Sequence, residues 1–217
     1  LNKSRQTYWQ VLPLCPTSYG DSPYQSFSTF AGNPYFIDFD LLCSEGLIKK
    51  SDYSNIKWCD NPEKVDFELI YKNRFKVLRK AFDNFDLSNS EFINFCDNNS
   101  FWLDDFALYM SLKNSFNGKP WNEWPQDLKI RNDESISKAK SDLKEDINYQ
   151  KFIQFEFFTQ WNDLKKYANE NGIKIIGDIP IYVAGDSADV WANPKQFLLD
   201  EDCNPIEVAG CPPDAFS

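Results

Sequence analysis

With 217 residues, 42% of them hydrophobic, the chain is long enough to bury a real core, which excludes disorder as its default state. Its 23 basic and 33 acidic residues give a net charge of −10 with no Lys/Arg-rich run, a balance that repels phosphate backbones and argues against nucleic acid. Histidine is absent, so imidazole triads and imidazole-ligated metals are excluded within this segment and any acid/base work in it falls to carboxylates or tyrosines.

Six cysteines are scattered from Cys15 to Cys211 without a C-x-x-C pair, which reads as reduced thiols in a reducing compartment rather than as a disulfide framework. No apolar run approaches the ~20 residues of a membrane span. The chain opens on LNKSRQTYWQ, without Met and directly before a strand-like run, which reads as residues missing upstream and leaves a removed targeting segment open.

In chain order, YWQVLPL (8–14) has the aromatic and β-branched content of a short buried strand, ended by Pro16 and the 17–20 turn cluster. Residues 15–38 show neither helical nor strand period and are rich in Gly, Pro, Ser and Tyr, the mark of a long functional loop. Helices dominate 39–150. Asn61 before Pro62 predicts a helix start, with Val65, Leu69, Leu78 and Phe82 as its inward stripe. A second helix opens after Ser90, a third carries Trp102, Phe106 and Tyr109 on one face, and 118–133 reads as an irregular connection. Ile136, Ala139, Leu143 and Ile147 mark another helix, and 151–171 a further one capped by Gly172. IKIIGDIPIYV (173–183) predicts a strand buried on both faces, as in a parallel sheet covered by helices. Residues 194–210 predict a β-hairpin with its tip at Asp200–Asn204. That tip resembles the start of a calcium loop, but Pro205 and Cys211 stand where glycine and glutamate are needed, so it reads as a polar turn.

Three blocks carry a resemblance: YWQVLPLCPTSYGDSPYQSFSTFAGNPYFID (8–38), FWLDDFALYMSLK with PWNEWP (101–125), and KFIQFEFF through GDIPIYVAGDSADVWANP to CPPDAFS (151–217). Together they resemble the 4-α-glucanotransferase (amylomaltase) family closely, with only 39–100 and 126–150 weakly similar. The resemblance implies an α/β fold, a partial (β/α)₈ TIM barrel of the α-amylase kind with a large helical insertion. On that basis 1–38 holds the second barrel strand and a substrate loop, 39–150 is the insertion, and 151–217 holds a barrel helix, the third strand and an active-site loop. The first strand is expected upstream of Leu1 and the remaining strands downstream of Ser217.

The implied reaction is retaining transfer of an α-1,4-glucan segment between maltooligosaccharides. Retention requires two carboxyl groups about 5–5.5 Å apart. In the family these come from later strands, whose motifs do not occur here, so no catalytic residue is assigned. Substrate contacts carried over by the resemblance are Tyr19, Asp21 and Tyr24 in the YGDSPY loop, Asp178 at the end of the third strand, Asp189 and Trp191 in GDSADVWANP, and Asp214 and Phe216 in a lid over the acceptor side. The plainer readings are a shaped turn for YGDSPY, a strand-end cap for Asp178, and helix capping with core filling for Asp186, Asp189 and Trp191. Some family members carry Tyr where Ala215 stands, which bears on acceptor preference. Neither a metal nor an organic cofactor is implied. The expected partners are α-1,4-glucans, with no nucleic acid and no membrane, in the cytoplasm or in a plastid of a plant-like source. A catalytically inactive glucan-binding or scaffold protein and a hydrolase of the same clan stay open as alternatives.

Overall fold

The structure, a computed structural model, describes residues 1–18, 20–208 and 210. Among them, β1 (Tyr8–Gln10) pairs in parallel with β2 (Lys174–Ile176), Trp9 lying opposite Ile175. The chain between them runs through α1 (Phe39–Ser44), α2 (Phe67–Asp83), α3 (Ser90–Asn98), α4 (Ser100–Ser115), α5 (Gln126–Lys129), α6 (Asp133–Asp142) and α7 (Lys144–Glu170), and α8 (Ala188–Ala192) follows β2. A strand, a helical crossover and a second parallel strand make this a helix-rich α/β arrangement. No helix among the described residues is long and apolar enough to cross a membrane.

Local chemistry sets the helix ends. Asp38, Asp66, Asn89 and Asn132 accept hydrogen bonds from first-turn N–H groups of α1, α2, α3 and α6, which those helices cannot satisfy internally. Gly172, at φ +74°, lets the chain leave α7 in a left-handed turn that a side chain would strain. Asn61 caps only a tight turn, accepting from the Glu63 N–H, and α2 starts six residues later at Phe67, with Asp66 as its cap. Val65 therefore lies outside the helix and is 65% exposed, although Leu78 and Phe82 are buried as expected. The stripe from Ile136 to Ile147 is divided at Leu143, which ends α6 and starts α7. Residues 118–133 contain a 3-10 turn at Trp121–Glu123 and the single-turn α5.

Two strand expectations need correction. β1 spans three residues of the 8–14 run, and Tyr8 and Leu12 are exposed. β2 ends at Ile176, while Ile179, Ile181 and Tyr182 are 83%, 90% and 66% exposed. A strand is buried on both faces only when structure covers both, and the sheet here has two strands, with α7 lying against β2. The 194–210 hairpin is reduced to a bridge between Leu199 and Pro205 around a turn in which Asp200 accepts from the Asp202 and Asn204 N–H groups.

Two apolar cores flank α7. In one, Leu42, Leu78, Phe82, Phe152 and Ile153 pack together, with Phe85 wedged between the Phe92, Phe152 and Phe155 rings. The other surrounds α4, whose Trp102, Leu103, Phe106, Leu108 and Tyr109 meet Trp121, Trp124 and Trp191. Cys15, Cys43, Cys59, Cys96 and Cys203 are free.

The long loop after β1 is fastened to α7 by amides. Gln154, wholly buried, accepts from the Gly32 N–H at 2.7 Å and donates to the Gly32 carbonyl at 3.0 Å, and Gln160 does the same to Asp38 at 2.7 and 3.3 Å. Each side chain thus pairs with backbone as a neighbouring strand would; at buried Gly32 this answers polar groups that are costly to bury unpaired, whereas the Asp38 pairing is exposed. The approach is close enough that a Cβ on Gly32 would stand 1.8 Å from the Phe157 ring. Gly32→Ala is accordingly expected to destabilise the fold by about 3 kcal/mol, read as a lowered urea midpoint at unchanged slope.

Glu156, 2% exposed on α7, faces the Glu45 carboxyl at the end of α1, and its Oε2 has no hydrogen-bond partner. Burial first, then the Glu45 charge and hydrogen bond, push Glu156 up to about 8 from 4.5. The folded state therefore holds a proton that the unfolded chain releases. The stabilisation is fully present below pH 4.5 and is lost as pH rises through about 8. Thermal melts across that window should show stability falling with pH, and Glu156→Gln should flatten the fall; an unchanged slope would show that Glu156 titrates normally.

Candidate functional site

The site is built where the chain leaves the two parallel strands at their C-terminal ends, the position at which open and closed α/β sheets place their ligands. After β1, Thr17 and Ser26 form an antiparallel bridge, and the Ser18 N–H donates to the Gln25 carbonyl at 3.0 Å. The turn between them needs left-handed backbone at Gly20 (φ 83°) and Asp21 (φ 53°), which glycine and aspartate tolerate best. It ends with Tyr24 projecting outward, 47% exposed. After β2, Asp178 stands two residues beyond the last paired residue. The Tyr24 hydroxyl donates to Asp178 Oδ2 at 2.8 Å, a contact between residues 154 apart in sequence.

Two of the expected site residues are thus brought together. Asp21 lines the wall of a neighbouring cavity of about 880 Å³, within the usual size of small-molecule sites, whose sides include Asn33, Tyr35, Tyr71, Phe75 and Tyr149. Burial pushes the Tyr35 phenol up to about 12 and raises Tyr149 as well, so both rings present neutral hydroxyls at ordinary pH. Tyr19, Asp214 and Phe216 lie outside the described residues.

The expectation for Trp191 is corrected. Its ring is 0% exposed, packed on Tyr109 and Trp124 with its indole N–H donating to the Leu128 carbonyl at 3.0 Å, so it fills the core and cannot reach a ligand. Asp189 joins the two loops: its oxygens accept from the Thr29 N–H at 3.0 Å and the Thr29 hydroxyl at 3.1 Å. The α8 cap is Ser187, not an aspartate. Asp186 instead accepts from the Tyr109 hydroxyl at 2.6 Å, the Trp121 N–H at 3.2 Å and the Lys113 ammonium at 2.5 Å. The sequence reading missed Lys113, Gln154 and Gln160, since a polar residue on an apolar helix face signals burial only once its partner is known. No cluster of three or more metal-ligating side chains occurs among the described residues.

The 4-alpha-glucanotransferase family model matches residues 1–217. This chain belongs to the 4-alpha-glucanotransferase family. It is 56% identical over 219 residues to the 4-alpha-glucanotransferase of Clostridium butyricum, covering 100% of this chain and 45% of that protein. The Thermus thermophilus 4-alpha-glucanotransferase is 46% identical over 222 residues, with 100% of this chain and 43% of the relative covered. Among solved structures, the amylomaltase from Streptococcus agalactiae in complex with acarbose superposes with a TM-score of 0.95 at 44% identity, covering 100% of this chain and 44% of that one. The chain therefore spans less than half the length of these family members.

The Tyr24–Asp178 contact has a spectroscopic signature. The Asp178 hydrogen bond, helped by burial and by the carboxylate charge, raises the Tyr24 phenol above 10.0. Difference titration against Tyr24→Phe should show this tyrosine ionising late, and Asp178→Asn should bring it back toward the ordinary value. A midpoint indifferent to Asp178 would mean that the contact does not form in solution.

Proposed function

We propose that these residues form one wall of the glucan groove of a 4-α-glucanotransferase that transfers α-1,4-linked segments between maltooligosaccharides with retention. Membership of the family supports this reading. The observation that carries it is the meeting of Tyr24 and Asp178 at the ends of two parallel strands, beside an aromatic-lined cavity bordered by Asp21. An exposed phenol ring covers the C–H face of a pyranose, while an adjacent carboxylate accepts from its hydroxyls; the pair offers both chemistries at one point.

In this reading β1 and β2 are the second and third strands of a (β/α)₈ barrel. The exposed Ile179, Ile181 and Tyr182 then face the rest of that barrel. Residues 1–38 and 151–217 are barrel segments, and 39–150 is the helical insertion that braces their loops. The nucleophile and the acid/base lie on later strands, outside these 217 residues, so the role of this segment is binding and orientation.

The test is disproportionation of maltotriose by the gene product at its natural length. Glucane chains longer than the substrate, together with glucose, are the expected products. Shorter sugars alone would mean that water is the acceptor, and binding without turnover would leave only a glucan-binding protein. Within an active enzyme, Asp178→Asn should lower kcat/KM by at least about tenfold and Tyr24→Phe by about threefold, as expected for losing a charged and a neutral hydrogen-bonding group.

A further inference from the structure

The loop that presents Tyr24 is mounted on α8. Ala188, Val190 and Trp191 of that helix are buried, so it is seated in the core, and Ser187 caps its first turn by accepting from the Val190 N–H at 3.3 Å. From this seat two neighbouring residues reach the loop. The Ala188 N–H donates to the Phe27 carbonyl at 2.8 Å. The Asp189 carboxylate takes both donors of one residue, the Thr29 N–H at 3.0 Å on one oxygen and the Thr29 hydroxyl at 3.1 Å on the other. Two bonds to one residue fix its orientation as well as its distance, whereas a single bond leaves it free to turn. Phe27 to Thr29 stand at the base of the turn whose head is Tyr24: Ser26 bridges to Thr17 across that turn, and its hydroxyl donates to the Ser28 carbonyl at 2.7 Å. A shift at Thr29 is therefore passed to Ser26 and to the bridge beneath Tyr24. Both partners of every one of these bonds lie within this segment, so the joint needs nothing from the rest of the natural-length protein.

We infer that Asp189 is a positioning residue, which acts through Thr29 to set where the Tyr24 hydroxyl meets Asp178 and does not itself hold the glucan. The inference rests on the reading of Tyr24 and Asp178 as glucan ligands. The motif alone suits a sugar contact as well as a joint. What decides is that the two Asp189 oxygens are directed at the two donors of one residue, so the plane of the carboxylate is set by the loop and not by a ligand.

The experiment uses the gene product at its natural length. Its first arm measures maltotriose disproportionation in the unaltered protein and in Tyr24→Phe; no activity, or no change in Tyr24→Phe, brings down the proposed function, while the titration of Tyr24 still judges this inference. Given activity, Asp189→Ala should raise KM about fivefold with kcat within about twofold, and Thr29→Val, which loses the hydroxyl and keeps the N–H, should raise KM about twofold. Combined, the two should raise KM no further than Asp189→Ala alone, because both remove the same joint. Asp189→Asn should bring KM back to within about twofold of the unaltered protein, since an amide can accept from the Thr29 N–H and donate to the Thr29 hydroxyl oxygen. A direct sugar contact predicts the reverse, with Thr29→Val silent and Asp189→Asn as poor as Asp189→Ala. The readout without sugar is the ionisation of Tyr24, which should fall toward the ordinary tyrosine value in Asp189→Ala and stay raised in Asp189→Asn. A role in stability alone lowers the melting temperature of Asp189→Ala and moves neither KM nor the Tyr24 midpoint. Either of those two results overturns the inference. Should Asp189→Ala fail to fold, the exposed Thr29 carries the same test, with Thr29→Val set against Thr29→Ser, which keeps the hydroxyl.

Discussion

The paired hydrogen bonds between Gln154 and the backbone of Gly32 are the constraint on which the rest of the site depends. The loop after β1 is long, irregular and partly buried, so its peptide groups have no ladder to join. α7 supplies the missing partners from side chains, through Gln154 at Gly32 and Gln160 at Asp38. Arg74 on α2 adds to this by donating to the Pro34 and Ile37 carbonyls while its guanidinium lies over the Phe39 ring. The loop is thereby given a fixed course across the helices, and Tyr24 a fixed place at its head.

The second loop is governed by charge where the first is governed by amides. Asp186 and Asp189 are three residues apart and point to different elements, one into α4 and the 3-10 turn at Trp121, the other across to Thr29. Between them Ser187 caps α8 and Trp191 seals the core beneath. The motif GDSADVWANP thus reads as a connector, each polar residue binding a separate neighbour. The helices between β1 and β2 contribute as much to this joint as the strands do, since Lys113 and Tyr109 lie on α4 and Trp121 opens the 3-10 turn that follows it. An ion pair that is mostly withdrawn from water contributes little net stability, but losing one partner leaves the other charge buried and uncompensated.

Much of this was legible from residue patterns. The i, i+4, i+7 spacing of Trp102, Phe106 and Tyr109 marks α4, and Gly172 marks the end of α7, because helix burial and left-handed exits leave local signatures. Asp178 and Tyr24 are marked by a resemblance rather than by spacing, and their contact spans 154 positions that no local rule can bridge. Trp191 reads equally as a sugar contact or as core, because an aromatic beside two aspartates has the same composition in both, and its full burial decides for the core. Asn61 predicts a helix start yet makes only a turn, because an Asx turn and a helix cap use the same side-chain geometry until the next turn decides. The run 173–183 predicts a longer strand than β2, since continuous β-branched residues record a buried environment without saying which part of the structure provides it.

The proton held between Glu45 and Glu156 has a calorimetric consequence. A chain without histidine would be expected to exchange few protons with its surroundings near neutrality, yet opening this one frees the proton that α7 keeps out of water. The heat absorbed on denaturation must then include the ionisation enthalpy of whatever buffer takes that proton up. Scans in phosphate and in an amine buffer at one pH would therefore differ by roughly the heat of protonating one buffer molecule per chain, with the folded structure unchanged.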